Sequence, residues 1–422
     1  MDKNILKEIL LEQKELLQSK EQGVERTELR TVQRYIKVPH VVVISGLRRS
    51  GKSTLLLQIM EAYFDNNVYY CNFEDERLTD FTSKDFNMLY ETFLELFGEN
   101  KVFFFDEIQN IKGWEVFVRR MYDAGNKIFV TGSNASMLSK EIGTRLTGRY
   151  VPIELYPFSF HEYLLFNKVE VDDKSLLLTK KRATLKRYFN SYLDKGGIPE
   201  YLKYEERDTL STLYKDIIYR DIVSRYEVRD IRALRELSVY LLSNTGTLIS
   251  YNRLKDMLGL GSSHTVKNFI EYLENTYLIN TLPMFSYSVR KQIKNPRKTY
   301  AIDIGLLKIA SVHFTENKGR FLENLVLIEL RRRQKEVYYY KTENGLEVDF
   351  VIKEGAKISD VIQVTQGLSN KATKEREINS LLGALKELKN KEGIILTEND
   401  EDEFIVDNKA IKVVPIYKWL LS

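Results

Sequence analysis

The 422-residue chain is poor in several things. Its one cysteine, Cys71, excludes a disulfide framework within the chain and an all-cysteine metal site. Four histidines argue against a histidine-built metal centre, and seven prolines leave no long proline-rich linker. The longest apolar runs, such as Val41–Ile44 and Val102–Phe105, fall far short of the roughly 20 residues that span a bilayer. Met1 opens a polar, amphipathic stretch, not an apolar signal segment, so the expected compartment is the cytoplasm, without a membrane partner. Neither sign of charge dominates: 64 Lys and Arg against 60 Asp and Glu leave +4, too weak to argue nucleic-acid binding by itself.

What is present is ordinary globular composition, 43% hydrophobic and 29% charged, and a length suited to two or three domains of about 150 residues. Residues 1–23 read as a charged amphipathic helix with Ile5, Ile9, Leu16 and Leu17 at roughly helical spacing. From 24 to 166, β-rich runs at His40–Ile44, Val68–Cys71, Val102–Phe105 and Lys127–Val130 alternate with helical stretches, the pattern of a mostly parallel α/β sheet covered on both faces. Residues 167–232 read as a polar link at 168–187 followed by helices around Gly196-Gly197-Ile198-Pro199, 233–310 as short helices and a basic hairpin, and 311–422 as a second, smaller α/β part.

The most specific signal is Gly46-Leu47-Arg48-Arg49-Ser50-Gly51-Lys52-Ser53-Thr54, between an apolar strand and a helix. Glycines let such a loop curl its N–H groups toward phosphate oxygens, and the helix N-terminus adds positive potential. Lys52 reaches the β- and γ-phosphates in this pattern, and the Ser53 hydroxyl is a Mg²⁺ ligand. Arg48 and Arg49 are cations near the phosphates, suited also to contact with another subunit. The run Val102–Phe105 then ends in Asp106-Glu107: Asp106 is the expected second Mg²⁺ ligand, and Glu107 the residue that orients the attacking water. The strand ending Thr131-Gly132-Ser133-Asn134 offers Ser133 or Asn134 as a sensor of the γ-phosphate or the water, or else as a helix cap. Arg145 and Arg149 are candidates either for an arginine finger on a neighbouring copy in a homo-oligomer or for a surface salt bridge. No Asn-Lys-x-Asp base-reading motif follows, which favours ATP as the nucleotide.

These blocks, GLRRSGKST, FFFDEIQN, VTGSNASML and LTGRYVPIELYPFSFHEYL, with the later YLDKGGIPEYL, RFLENLVLIEL, EVDFVI and GIILT, resemble prokaryotic AAA+-like P-loop ATPases of the archaeal-type group over nearly the whole chain. The resemblance implies an ATPase core, a helical and winged-helix region and a C-terminal domain of unknown function with a restriction-endonuclease-like fold. It also implies ATP binding and hydrolysis, but supplies no substrate or protein partner.

In the middle region, helical spacing at Val266, Phe269, Ile270 and Leu273 after a Gly259–Gly261 turn suits a helix-turn-helix, with His264 in the first turn of its second helix. Arg290, Lys291, Lys294, Arg297 and Lys298 then cluster without an acid, as a wing that neutralises DNA or RNA phosphates would. Glu271 and Glu274 on the second helix oppose that role, and such folds also serve as protein-interaction modules. In the C-terminal part, Glu323, then Glu347-Val348-Asp349 after the Glu343-Asn344-Gly345 turn, then Gln363-Val364-Thr365, resembles a nuclease constellation whose second acid has become Gln363 and whose lysine has become Thr365. Nuclease activity is therefore not expected.

Overall fold

The computed structural model describes all residues except 135–145, 147, 173 and 311–317, and of Arg207 only the backbone. The chain divides into two compact units, Met1–Tyr156 and Pro157–Ser422. Position 166, the boundary expected above, lies within the second unit, at the end of the helix Phe160–Phe166.

The first unit is built on five parallel strands, β1 (Val41–Gly46), β2 (Tyr69–Asn72), β3 (Val102–Asp106), β4 (Lys127–Gly132) and β5 (Tyr150–Leu155), in the spatial order β2-β3-β4-β1-β5. Strands buried on both sides need apolar residues at successive positions, which is why they read as runs without alternation. Val41, Val43, Tyr69, Cys71, Phe103, Phe105, Ile128 and Val130 face one layer; Val42, Ile44, Tyr70, Phe104, Phe129, Ile153 and Leu155 face the other. The second layer holds the helix Lys52–Phe64. The first holds the helices Phe86–Phe97, Trp114–Asp123 and the N-terminal Lys3–Ser19.

The N-terminal helix buries Leu6, Ile9, Leu10, Gln13 and Leu17, the i, i+3, i+4, i+7 stripe. Ile5 and Leu16, expected on that face, are exposed. Each buried aliphatic side chain contributes about 1.5–3 kcal/mol of transfer free energy, enough for the four to dock the helix as part of the core. Gln13 fixes its register: Nε2 donates to the Asn72 carbonyl at 3.0 Å, and Oε1 accepts from the Asn72 N–H at 2.8 Å.

The second unit begins with helices, including Thr179–Lys195, which occupies much of the expected 168–187 link. Its hub is Asp303. The carboxylate is buried and accepts from the N–H groups of Gly197 at 2.7 Å, Gly305 at 2.8 Å and Leu306 at 3.1 Å. Gly197 cannot carry a side chain, since a Cβ would stand 2.4 Å from the Phe158 carbonyl oxygen.

The helices Tyr251–Met257 and Ser263–Asn275 precede an antiparallel pair, β6 (Ile279–Leu282) and β7 (Lys298–Ala301). Ser262 caps the second helix through the His264 N–H at 3.1 Å. The basic stretch expected as a continuous hairpin differs: Ser288 caps a short helix, Val289–Lys294, inside the β6–β7 connection. A six-stranded mixed sheet completes the unit: β8 (Glu336–Lys341), β9 (Glu347–Glu354), β10 (Lys357–Val364), β11 (Glu392–Thr397), β12 (Asp402–Val406) and β13 (Lys409–Pro415), ordered β12-β13-β11-β10-β9-β8. Its apolar face packs on the helix Lys371–Glu387 through Leu381, Ala384 and Leu385.

Candidate functional site

Parallel pairing brings the C-terminal ends of β1, β3 and β4 to one edge. Ser45 is level with Gly132, Phe105 with Val130, and Asn72 with Asp106. The carboxyl edge of an open α/β sheet is where such folds bind ligands.

The loop Gly46–Gly51 turns at this edge from β1 into the helix Lys52–Phe64. Gly46 is required by close approach: a Cβ there would lie 2.1 Å from the Leu155 carbonyl oxygen. Arg49 and Gly51 take positive φ (62° and 94°), which curls the backbone inward. The Lys52 ammonium lies within this curl, 3.3 Å from the Gly46 carbonyl, 3.2 Å from that of Leu47 and 3.3 Å from Glu107 Oε1. These contacts are longer than the 2.7–2.9 Å typical of charge-assisted bonds, so phosphate oxygens would compete for the ammonium well. The Ser50 hydroxyl is buried in the loop and has no hydrogen-bond partner among the described residues. A curled loop holding an orphaned hydroxyl and a loosely held ammonium fits a phosphate chain. Thr54 is half-buried in the first turn of the helix, and Arg48 turns outward to Glu74 at 2.8 Å.

Asp106 ends β3 against Ser53, whose hydroxyl is hydrogen-bonded to it. Burial, with the neighbouring Glu107 charge, raises the Asp106 carboxyl above the usual range against the Ser53, Thr131 and Lys52 contacts. Glu107 adopts a left-handed φ of 50°, outside the strand. Its burial is outweighed by the Lys52 ammonium, the Gln109 amide and the Arg48 guanidinium, which hold its carboxyl below the ordinary range. Two adjacent carboxyls are thus pushed apart, the condition for two different tasks. Among the described residues no group of three or more His, Cys, Asp or Glu side chains is arranged to hold a metal. A Mg²⁺ ion between Ser53 and Asp106 would accordingly need nucleotide and water oxygens as its other ligands, which is how this ion is usually held.

β4 stands between β1 and β3, so its end meets both motifs. Asn134 and Ser133 are buried just past it. The Ser133 hydroxyl lies 3.3 Å from Gln109 Nε2, and Gln109 also donates to Glu107. Thr131 links the set: Oγ1 donates to Asp106 Oδ1 and accepts from the Glu107 N–H at 2.9 Å. Thr131 and Gln109 stand inside the VTGSNASML and FFFDEIQN blocks, but spacing alone gives neither a role. Arg26 carried no motif at all. It is 1% exposed and donates to the Ser50 carbonyl at 2.6 Å and the Tyr156 carbonyl at 2.7 Å.

Arg149 is not brought to this edge. It precedes Tyr150, which pairs with Val41 at the start of β1, so it lies at the opposite end of the sheet from Gly46. There it forms an ion pair with Asp123 at 3.0 Å, the salt-bridge alternative, and takes no part in this chain's own loop. Arg145 lies outside the described residues.

The second unit holds a different charge cluster. Lys298, expected in an exposed wing, is 2% exposed and sits among Glu347 at 2.8 Å, Glu323 at 2.9 Å and Asp349 at 3.5 Å. It starts β7, a strand buried along its length, and a buried ammonium requires anions. Burial works against its charge, but the Glu323, Asp349 and Glu347 carboxylates outweigh it and raise its pKa. The Tyr300 hydroxyl donates to Glu323 at 2.6 Å, and the Val364 N–H to Asp349 Oδ2 at 2.9 Å. Burial, reinforced by Glu323, pushes the Asp349 carboxyl up to about 8. Gln363 donates to Glu377 at 2.7 Å. The cation of this acid set therefore comes from β7, not from the Thr365 position.

A curled loop on one strand and paired carboxyls on the next but one define a P-loop NTPase core of the AAA type. Residues 38–164 match the family model described as AAA domain, 186–317 the domain of unknown function DUF8612, and 318–419 the domain of unknown function DUF4143. The chain belongs to the family of the uncharacterized protein MJ1544 of Methanocaldococcus jannaschii, with which it is 37% identical over 440 aligned residues, covering 100% of this chain and 96% of that one. An uncharacterized protein of Haemophilus influenzae is 31% identical over 90% of this chain and 94% of its own. The Walker-type ATPase PABY2304 of Pyrococcus abyssi is a looser structural likeness, 16% identical with a TM-score of 0.43, covering 68% of this chain and 95% of that one.

Proposed function

We propose that the first unit binds ATP with Mg²⁺ and hydrolyses it, and that the cycle drives a conformational change in the helical and C-terminal parts. The carrying observation is the juxtaposition of Lys52, Ser53, Asp106 and Glu107 at one sheet edge, with Glu107 held ionised at 3.3 Å from Lys52. The loop N–H groups, Ser50 and Lys52 receive the phosphates. Ser53 and Asp106 hold Mg²⁺, which when bound neutralises charge on the phosphate oxygens. Glu107 accepts hydrogen bonds from a water and orients it, Gln109 and Ser133 fix the surroundings of that carboxylate, and Asn134 senses the γ-phosphate or that water.

Turnover of ATP by the wild type, Lys52→Ala and Glu107→Gln tests this. The wild type should turn over, and each variant should lose about 10²-fold or more. Equal background rates in all three would refute hydrolysis.

A second reading concerns nucleic acid. Arg290, Lys291, Lys294 and Arg297 are exposed beside the exposed Tyr287, with no acid among residues 289–297. We propose that this segment contacts phosphates of DNA or RNA; Lys298 is not among the contacts. Affinity for duplex DNA should then fall with salt, at a log–log slope of about −0.9 per phosphate contact. A salt-independent result would exclude it.

A further inference from the structure

The segment before the first strand is tied to the phosphate loop by side chains that no sequence motif marks. Gln58, on the helix that follows the loop, donates to the carbonyls of Gln22 at 2.8 Å and Val24 at 2.7 Å and accepts from the Arg26 N–H at 3.1 Å. This places the Arg26 guanidinium behind the loop, where it holds the Ser50 and Tyr156 carbonyls. Glu28 Oε2 lies 3.9 Å from the guanidinium, and the two backbone carbonyls share in compensating this buried charge.

The geometry points to Arg26 as the residue that positions the phosphate loop for its ligand, an inference that rests on the ATP reading above. A trans peptide is planar, with its C=O and following N–H directed oppositely. Holding the Ser50 carbonyl therefore aims the Gly51 N–H away from Arg26. A Cβ on Gly51 would come 3.2 Å from Arg26 Nη1, so this glycine serves the close approach of the guanidinium as well as its own φ of 94°. The guanidinium also adds a fixed positive charge behind the loop, which favours an anionic ligand. Its second anchor, Tyr156, is the last residue of this compact unit. Arg26 acts through the backbone of the loop and is a positioning residue, not a catalytic one.

Affinity for a fluorescent ATP analogue and steady-state ATP kinetics, read on the full chain carrying Arg26→Gln, Arg26→Lys or Arg26→Ala, test it at a temperature where circular dichroism shows each protein folded. Arg26→Gln should weaken nucleotide binding about tenfold or more. The loss should fall on KM, with kcat within about twofold, because Asp106 and Glu107 stand on another strand. Arg26→Lys, which retains the charge but not the fork, should be intermediate, and added methylguanidinium should restore binding to Arg26→Ala. Folded variants that bind like the wild type, or that lose kcat at unchanged KM, would overturn the inference. If Arg26→Ala does not fold, the Gln and Lys variants decide. A wild type that binds no ATP would instead overturn the reading on which this one rests.

Discussion

Lys298 changes what its neighbours mean. As an exposed cation it would add one phosphate contact to a basic segment; buried among Glu323, Glu347 and Asp349 it is the counter-ion of a packed acid set. Removing one partner of a buried ionic network leaves charge uncompensated and costs about 3–5 kcal/mol. Lys298→Met should lower the urea stability of the second unit by that amount, whereas Arg290→Met, at an exposed site, should stay within about 0.5 kcal/mol. Equal effects of the two would remove the distinction. Asp349 adds a pH dependence. Its folded-state carboxyl is raised to about 8 from an ordinary value of 3.8, so between those limits the folded chain holds a proton that the unfolded chain has lost. Its share of stability is complete below about pH 4 and drains as pH rises to about 8, by at most about 1.4 kcal/mol per pH unit. Urea midpoints at pH 5 and pH 8 should fall more steeply for the wild type than for Asp349→Asn; identical slopes would contradict the burial account.

Among the elements, the parallel strands were readable because burial on both faces leaves them as unbroken apolar runs, and the loop was readable because its glycines, lysine and serine keep fixed spacing. Of the four apolar residues at helical spacing in the N-terminal helix, Ile9 and Leu17 pack, whereas Ile5 and Leu16 are exposed beside the buried stripe Leu6, Ile9, Leu10, Gln13 and Leu17. The short helix Val289–Lys294 was hidden because its residues carry no core-facing period, and its one signal is the Ser288 cap. Arg26 and Lys298 escaped because their partners lie far away in sequence, at Ser50, Tyr156, Glu323 and Asp349, and backbone carbonyls leave no mark on residue identity. Gly46 offers an element-level test. A methyl group there must push β1 from β5, an overpacking strain of about 1–3 kcal/mol. Gly46→Ala should lower the melting temperature, while Gly261→Ala, with nothing within 4 Å, should not. A melting temperature unchanged in Gly46→Ala would mean that the approach to Leu155 is looser than described.

At the scale of the whole molecule, the two compact units hold different chemistry: a nucleotide-type loop with its paired carboxyls in one, and a carboxylate cluster closed by its own ammonium in the other. A ligand that binds only the folded state stabilises it by mass action, about 2.7 kcal/mol at a hundredfold excess over Kd. ATP should therefore raise the unfolding temperature of the wild type and not that of Lys52→Ala. The central claim, that one sheet edge both holds the triphosphate and presents Glu107 to water, separates binding from chemistry. The most direct measurement sets fluorescent-ATP affinity beside Mg²⁺-dependent turnover in Glu107→Gln. Affinity near that of the wild type with turnover lower by about 10²-fold or more is the result predicted; turnover equal to the wild type, or loss of both together, would contradict it.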